Sequence, residues 1–352
     1  MVVKRIIQVK WLAVVLFILL LMCLMEILSY KLNSLSWLQL NQCKSKRCTK
    51  LLLVADPQLI GLRNEIFHLI TPLSIFDSDM FLARTYSYAF EFTQPDVVIF
   101  LGDLFDEGSI ATEAEYKTYL RRLFDIFLSG PSANVKHIWI PGDNDIGGEG
   151  NDFLTDYKIK RFEKAFLQPD IIGFNNLEFY KINMLTRTIP VFYDKRDFYN
   201  TSRIIMGLSH ISVLFTPSTF SEKVLSKLQP HLVFSGHNHE SMVIAVDNSL
   251  RNERHITPLD GDSGIFECVL GDQSIYDILV PSCSYRMGTA KIGYGYAIID
   301  DNKLQYTVLW SHSRFVPLLL YLIFSIFIAF IIFYKSVCCK CKRSKYNSIS
   351  QT

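Results

Sequence analysis

Short apolar runs bounded by turn residues recur along the chain: Leu51 to Ala55, Val97 to Gly102, Ile138 to Gly142, Ile204 to Ser209 and Leu232 to Gly236. Runs of this length predict strands buried on both faces, as in parallel sheets covered by helices. Helical stretches lie between them. Ser78 is the expected N-cap of a helix running through Gln94. Thr112 and Glu115 have capping-box spacing and open a helix to about Leu128. Asp156 to Leu167 reads as a third helix, stopped by Pro169, and Ser221 to Leu228 as a fourth, stopped by Pro230. Alternating strands and helices predict an α/β domain with parallel strands. From Ser241 onward the pattern turns to short strands and turns, such as Ile275 to Pro281 and Tyr294 to Asp300. Asn183 to Thr201 reads as an irregular surface insertion. There is no internal repeat and no low-complexity segment.

Two longer runs change the picture. Trp11 to Leu28 is apolar apart from Glu26, and Val316 to Phe333 is apolar apart from Ser325. Each has the length of a bilayer-spanning helix, and together they account for a hydrophobic content of 49%. A cleaved signal peptide is the alternative for the first run, but its apolar core is long and no small-x-small site stands out. The basic stretch after the second run excludes a GPI-attachment tail. Lys335, Lys340, Lys342, Arg343 and Lys345 put that tail in the cytosol, so two spans put the N-terminus, with Lys4, Arg5 and Lys10, there too. Lys44, Lys46, Arg47 and Lys50 leave the first span ambiguous by itself, and the second decides. The expected layout is therefore a cytosolic segment 1–10, a span 11–28, a lumenal linker 29–49, a lumenal domain 50–312, a span 316–334 and a cytosolic tail 335–352.

Charge adds little: 36 Lys and Arg against 34 Asp and Glu give a net +2, which implies no nucleic-acid partner. Of eight cysteines, Cys43, Cys48, Cys268 and Cys283 fall in the lumenal part, where disulfides are permitted. Three pairings are open to them, and Cys43–Cys48 with Cys268–Cys283 is the one put forward. Cys338, Cys339 and Cys341 are juxtamembrane candidates for palmitoylation, with plain thiols as the alternative. Asn200-Thr201-Ser202 is an N-glycosylation acceptor sequence, usable only in a lumenal domain.

The chemistry sits where the five apolar runs stop. They end at Asp56, Asp103, Asp143, His210 and His237, with His239 two residues on. Open α/β sheets collect ligands outside the carboxyl ends of their strands. Three Asp and three His on one rim make a mixed oxygen and nitrogen pocket. Such a set suits Mn, Fe or Zn better than Ca or Mg and is too large for one tetrahedral ion. Two ions sharing a carboxylate is the economical reading. Gly102, Gly142 and Gly236 each precede a ligand and are expected to let the backbone turn sharply there. Each piece alone is unspecific: a Gly-Asp is usually a turn, a lone His a core residue, and His237-Asn238-His239 could be a structural zinc pair. Their order at strand ends carries the reading. A two-metal site clamps the attacking and leaving oxygens of a displacement at phosphorus.

These residues resemble the calcineurin-like metallophosphoesterase family, whose pattern is Asp-x-His, Gly-Asp, Gly-Asn-His-Asp/Glu, His, Gly-His-x-His. The resemblance covers about Lys50 to His239. Within the family, the membrane-bound members of GPI-anchor remodelling look most similar, on the two terminal spans, on Leu101 to Gly108, on Asp145-Ile146-Gly147 and on Tyr157 to Phe166. The resemblance implies a lumenal two-sheet β-sandwich flanked by helices. It implies a first metal held by Asp56, Asp103 and His239, and a second held by Asp143, His210 and His237, with Asp103 bridging and both ions manganese. It also implies a phosphodiesterase that removes ethanolamine phosphate from a mannose of the GPI glycan, with GPI-anchored proteins as substrates and cargo-sorting machinery as a further partner. The place would be the early secretory pathway: endoplasmic reticulum, intermediate compartment or Golgi. The tail, ending Ser-Ile-Ser-Gln-Thr, has no terminal dilysine to choose among them.

Three positions depart from the family pattern. Gln58 replaces a His ligand and could bind only weakly through its amide oxygen. Asp143 replaces Asn and keeps an oxygen ligand. Asn144 replaces the His that protonates the leaving group, a contribution worth roughly 10²–10⁴-fold. Asp145 or a water held by the metals would have to supply the proton. Gln58 and Asn144 favour the alternative of a catalytically weak phosphoglycan-binding protein or cargo receptor, and the six intact ligands favour the enzyme. A further alternative keeps the enzyme but gives it another lipid-linked phosphodiester. Glu149 and Asp152 could face the ammonium of ethanolamine, or be plain solvated loop carboxylates.

Overall fold

The computed structural model describes residues 14, 16–63, 69–191, 203–247, 253–260, 264–289 and 291–349, the last stretch beyond 334 as backbone alone. Among the described residues, thirteen strands form two sheets. The first sheet contains β1 (Thr49–Val54), β2 (Val97–Leu101), β3 (Lys136–Ile140), β10 (Phe266–Val269), β12 (Ile292–Asp300) and β13 (Lys303–Ser311), in the order β10-β13-β12-β1-β2-β3. The second contains β4 (Ile171–Phe174), β5 (Leu177–Ile182), β6 (Ile204–Ser209), β7 (Leu232–Ser235), β8 (Met242–Asp247), β9 (Arg254–Pro258) and β11 (Ser274–Leu279), in the order β4-β5-β6-β7-β11-β8-β9.

Alternation along each strand sorts side chains into layers. Leu51, Leu53, Val97, Ile99 and Ile138 meet Phe179, Met206, Leu208, Leu232 and Phe234 between the sheets. Leu52, Val54, Val98 and Phe100 turn outward and pack under Leu82, Tyr86, Tyr119, Leu123 and Phe127 of the helices Thr71–Thr93 and Glu113–Phe127. On the far side Tyr180, Ile182, Val233 and Ile244 pack under Val224, Leu225 and Leu228 of the helix Thr219–Leu228. The architecture is a two-sheet sandwich flanked by helices.

The five apolar runs are strands as expected, and β1–β2–β3 and β5–β6–β7 pair in parallel. The sheets are nonetheless mixed, because β12 joins β1 antiparallel and β4 and β5 form an antiparallel pair that the pattern did not announce. The first of the four expected helices begins at Thr71, seven residues before the expected cap. Pro72 fits its first turn, and Ser78 is buried inside it. Thr112 and Glu115 close a reciprocal capping box. Ser218, not Ser221, caps the helix before β7, because its hydroxyl is the one that accepts the Ser221 N–H.

Cys43 and Cys48 form a disulfide. The Cys268–Cys283 pairing does not form. Cys268 lies on the edge strand β10, whereas Cys283 is buried behind the exit of β1, and both are free thiols. Among the described residues, two helices are long and apolar enough to cross a membrane, Leu16–Leu35 and Phe315–Tyr334. The first continues past the expected end at Leu28, so part of the expected linker is helix. Asn200 to Ser202, with most of the expected insertion, lies outside the described residues.

Candidate metal centre

The predicted rim residues meet where β1, β2, β3, β6 and β7 end. Asp56 follows β1, Asp103 follows β2, Asp143 opens a single helical turn after β3, His210 directly follows β6, and His237 follows β7. The chain turns back sharply at these exits, and Asp56, Gln58, Asp103, His237 and His239 all take left-handed backbone conformations. For residues other than glycine each such conformation costs about 1–3 kcal/mol and gathers at functional sites.

Of the three glycines, only Gly102 has a positive φ, +92°. The expectation that all three serve the turn is corrected by the space around them. A Cβ on Gly142 would lie 2.1 Å from Asp103 Oδ1, and one on Gly102 would lie 2.6 Å from His210 Nδ1. Gly142 is needed because a carboxylate passes where its side chain would be.

His210 is the hub. Its Nε2 lies 2.9 Å from Asp143 Oδ1, 3.4 Å from Asp103 Oδ1 and 3.3 Å from His237 Nδ1. Its Nδ1 donates to the Leu101 carbonyl at 2.7 Å. Metal-ligating histidines orient themselves this way, fixing one nitrogen on the backbone and freeing the other. His237 Nδ1 lies 3.1 Å from Asp143 Oδ1, and its backbone N–H donates to Asp56. Ligand atoms of Asp56, Asp103 and His210 all lie within 4.8 Å of one another, as do those of Asp143, His210 and His237. His239 belongs to neither group.

The electrostatics fit a cation. Burial would push His210 down, but Asp103, Asp143 and Asp56 overcome it and raise it to about 10. Burial lifts Asp56 to about 7, with Asp103 adding to it against the pull of His210. Burial lifts Asp103 as well, whereas hydrogen bonds from His210 and His237 outweigh the burial of Asp143 and hold it well below the usual carboxylate range. Three buried carboxylates facing one another are costly without positive charge among them. A divalent ion fits this set of hard oxygens and imidazoles, and would take over the compensation that the His210 proton supplies.

The departures from the family pattern converge on one side chain. Gln58 Nε2 and Asn144 Nδ2 both donate to Asp103 Oδ2, each at 2.9 Å, and the Asn144 backbone N–H donates to Oδ1 at 3.0 Å. Gln58 therefore faces the Asp103 carboxylate with its amide nitrogen, not with a ligating oxygen. Asp145 is fully buried. Its carboxylate accepts backbone N–H groups of Leu104, Phe105 and Gly142, with Gly142 at 2.9 Å. Sealed from solvent and occupied on both oxygens, it is placed to brace the β2 and β3 exits. It is not placed to hand a proton to a leaving group. Asp152 pairs with Lys158 and accepts from Ser109, so it does not face the site as a free charge. Glu149 reaches the site, but its carboxyl shares a hydrogen bond with Asp143 that raises it, so it too is not a free charge.

Supports from distant sequence also gather here. Ser282 Oγ donates to the Asp56 carbonyl at 2.9 Å, and the Cys283 N–H donates to the Ala55 carbonyl at 3.0 Å. Buried Glu107 accepts the N–H groups of Leu62 and Arg63 and so fixes the loop after Gln58. Ser282 carried no signal in the sequence. The amide character shared by Gln58 and Asn144 was a signal, since two donors suit one carboxylate.

The sequence profile of the calcineurin-like phosphoesterases matches residues 50–241 of the 352. Metallophosphoesterase 1 of Cricetulus griseus is 31% identical over 102 residues, 29% of this chain and 25% of that protein. Metallophosphoesterase 1 of Macaca fascicularis is 27% identical over 142 residues, 40% of this chain and 34% of that protein. The matches thus span a quarter to a third of these relatives. A dimetal phosphatase from Danio rerio aligns over 74% of this chain and 95% of its own, with 11% identity and a TM-score of 0.42.

Proposed function

The chain belongs to the calcineurin-like phosphoesterase family, and from that premise we propose that it is a two-metal phosphodiesterase acting on a membrane-linked phosphoester, the ethanolamine phosphate on a GPI mannose. The observation that carries the hydrolase reading is the pair of overlapping ligand groups at the ends of five strands, Asp56, Asp103 and His210 with Asp143, His210 and His237, all buried except the half-buried His237. Manganese fits the mixed donor set. When bound, the ions activate water and neutralise the charge that develops on the phosphoryl group.

The chain's own residues do the rest. Gln58 and Asn144 hold Asp103 in the orientation a shared carboxylate requires. Leu101 aims His210 through its carbonyl. Asp145 locks the turns that carry Asp103 and Asp143. Glu149, whose carboxyl shares a hydrogen bond with Asp143, places a polar group rather than a free charge beside the ligands. Neither Asn144 nor Asp145 can protonate the departing oxygen, and that observation supports the second reading, a phosphoglycan-binding protein with slow turnover.

The GPI substrate is supported by the two apolar helices near the ends of the chain and by the resemblance to membrane-bound members of the family. The basic stretch after the second helix supports a lumenal domain, and the resemblance supports the early secretory pathway, GPI-anchored proteins as substrates and cargo-sorting machinery as a partner. The test is mass spectrometry of an ethanolamine-phosphate-bearing GPI glycan incubated with the full chain and manganese. Loss of one ethanolamine phosphate, absent with Asp103→Asn, supports the enzyme. An unchanged glycan in the presence of bound metal supports the binding protein or another substrate.

A further inference from the structure

Four large apolar side chains stand in solvent where the helix Thr71–Thr93 begins. Leu69 is 99% exposed, Leu73 67%, Phe76 64% and Ile70 54%. Their spacing of three and four residues puts Leu69, Leu73 and Phe76 on one side of the helix entry. Clustered apolar exposure of this kind marks a surface that another apolar phase covers.

The neighbouring helix shows which phase. Leu16–Leu35 and Thr71–Thr93 run side by side in the same direction. Glu26 pairs with Arg84, Tyr30 stacks near Phe81 at 6.0 Å, the Lys31 ammonium lies 5.9 Å from the Tyr88 ring, and Trp37 meets Phe92 edge-on at 5.4 Å. Carried back toward the N-terminus, this register sets Leu69 to Phe76 level with about Val14 to Leu21. There Val14, Leu16, Phe17, Leu19 and Leu20 are exposed. The apolar start of one helix therefore lies at the depth of the most apolar part of the other.

We infer that the entry of the helix Thr71–Thr93, through Leu69, Ile70, Leu73 and Phe76, dips into the lipid bilayer beside the first span. This rests on reading Leu16–Leu35 as a span, and it deepens the proposed function by bringing the metal centre to the membrane surface. The connection to the site is short. Tyr285 O–H donates to Asp77 at 2.8 Å and its ring meets Phe81 edge-on at 5.1 Å. The same segment carries Ser282 and Cys283, which brace the exit of β1 at Asp56. An inserted helix entry holds that segment, and with it the ligand rim, against the headgroups where a lipid-linked phosphoester presents itself.

The test places the full chain in phosphatidylcholine vesicles with and without brominated acyl chains and follows tryptophan emission. Quenching of the wild-type chain, whose Trp11 and Trp37 flank the first span, reports that the span is inserted. The added emission of Phe76→Trp, and of Leu73→Trp as a second variant, is expected to fall at least twofold in brominated vesicles. Phe153→Trp, at an equally exposed apolar position outside this patch, is expected to be unaffected. Manganese binding by each variant confirms that it is folded. Wild-type quenching with no added quenching from Phe76→Trp or Leu73→Trp overturns the inference, keeps the span, and assigns the patch to a protein partner. Equal quenching of Phe153→Trp overturns it too, as non-specific contact. No wild-type quenching overturns the span itself.

Discussion

Gly142→Ala isolates the packing of the metal centre from its backbone conformation. Gly142 has φ −102° and ψ −178°, which any residue adopts, so alanine adds no torsional strain. It does add a Cβ 2.1 Å from Asp103 Oδ1 and 2.3 Å from the Asp103 backbone nitrogen. Rotating the carboxylate cannot relieve the second contact. Ordinary contact begins near 3.4 Å, so the Asp103 loop must retreat by about 1 Å. Overpacking of this kind costs about 1–3 kcal/mol, and a misplacement of about 1 Å at a site can cost 10²-fold in function. We expect manganese affinity, titrated calorimetrically, to fall about 10²-fold, which is about 2.8 kcal/mol. Gly236→Ala is the control. Its Cβ would meet Ala55 Cβ at 3.2 Å and Asp56 Oδ2 at 3.3 Å, gaps that a shift of a few tenths of an ångström opens, and affinity should fall less than about tenfold. Wild-type affinity in Gly142→Ala, or equal loss in both variants, would refute the placement of Asp103 against this glycine.

With no acid at Asn144, turnover should depend steeply on the leaving group. Aryl phosphodiesters should be cleaved roughly 10²-fold or more faster than alkyl ones, and Asn144→His should narrow that gap; a flat dependence in the wild type shows that another acid serves. Arg161, buried, donates to the Gly108, Ser109 and Ala111 carbonyls behind the metal loop. Arg161→Met should leave all three unpaired and cost about 2–4 kcal/mol, read as a lower Tm. His137 is pushed down from 6.5 to about 4 by burial. The unfolded chain therefore takes up its proton near pH 6.5 and the folded chain only near 4, so stability present above 6.5 is lost as pH falls through that window. Denaturant melts of His137→Phe should lose less stability than wild type between pH 7 and pH 4.5.

What the sequence made legible follows from what is local. Five strands and five of the six ligands could be read because an apolar run and the residue that ends it are contiguous. The capping box of Thr112 and Glu115 was readable for the same reason. The start of the helix Thr71–Thr93 was not, since Pro72 and an exposed apolar turn look like a loop until lipid or packing gives them a place. The antiparallel pairing of β12 with β1 depends on contacts across more than two hundred residues, and so does the brace from Ser282 to Asp56. His239 reads as a ligand from its spacing, and it lies outside the two groups that the carboxylates form with His210. Asp145 read as a candidate acid because it lies beside the site in sequence. Its burial under three backbone N–H groups makes it a brace.

The central claim is that this rim holds two ions and hydrolyses phosphodiesters despite amides at Gln58 and Asn144. The most direct measurement is metal content per chain, by elemental analysis of the purified full chain, alongside hydrolysis of an aryl phosphodiester at the same metal concentrations. The account predicts two manganese ions per chain, activity that rises with the second, and loss of both in Asp103→Asn. One ion or none at saturating manganese, or two ions with no hydrolysis above the Asp103→Asn background, would contradict it.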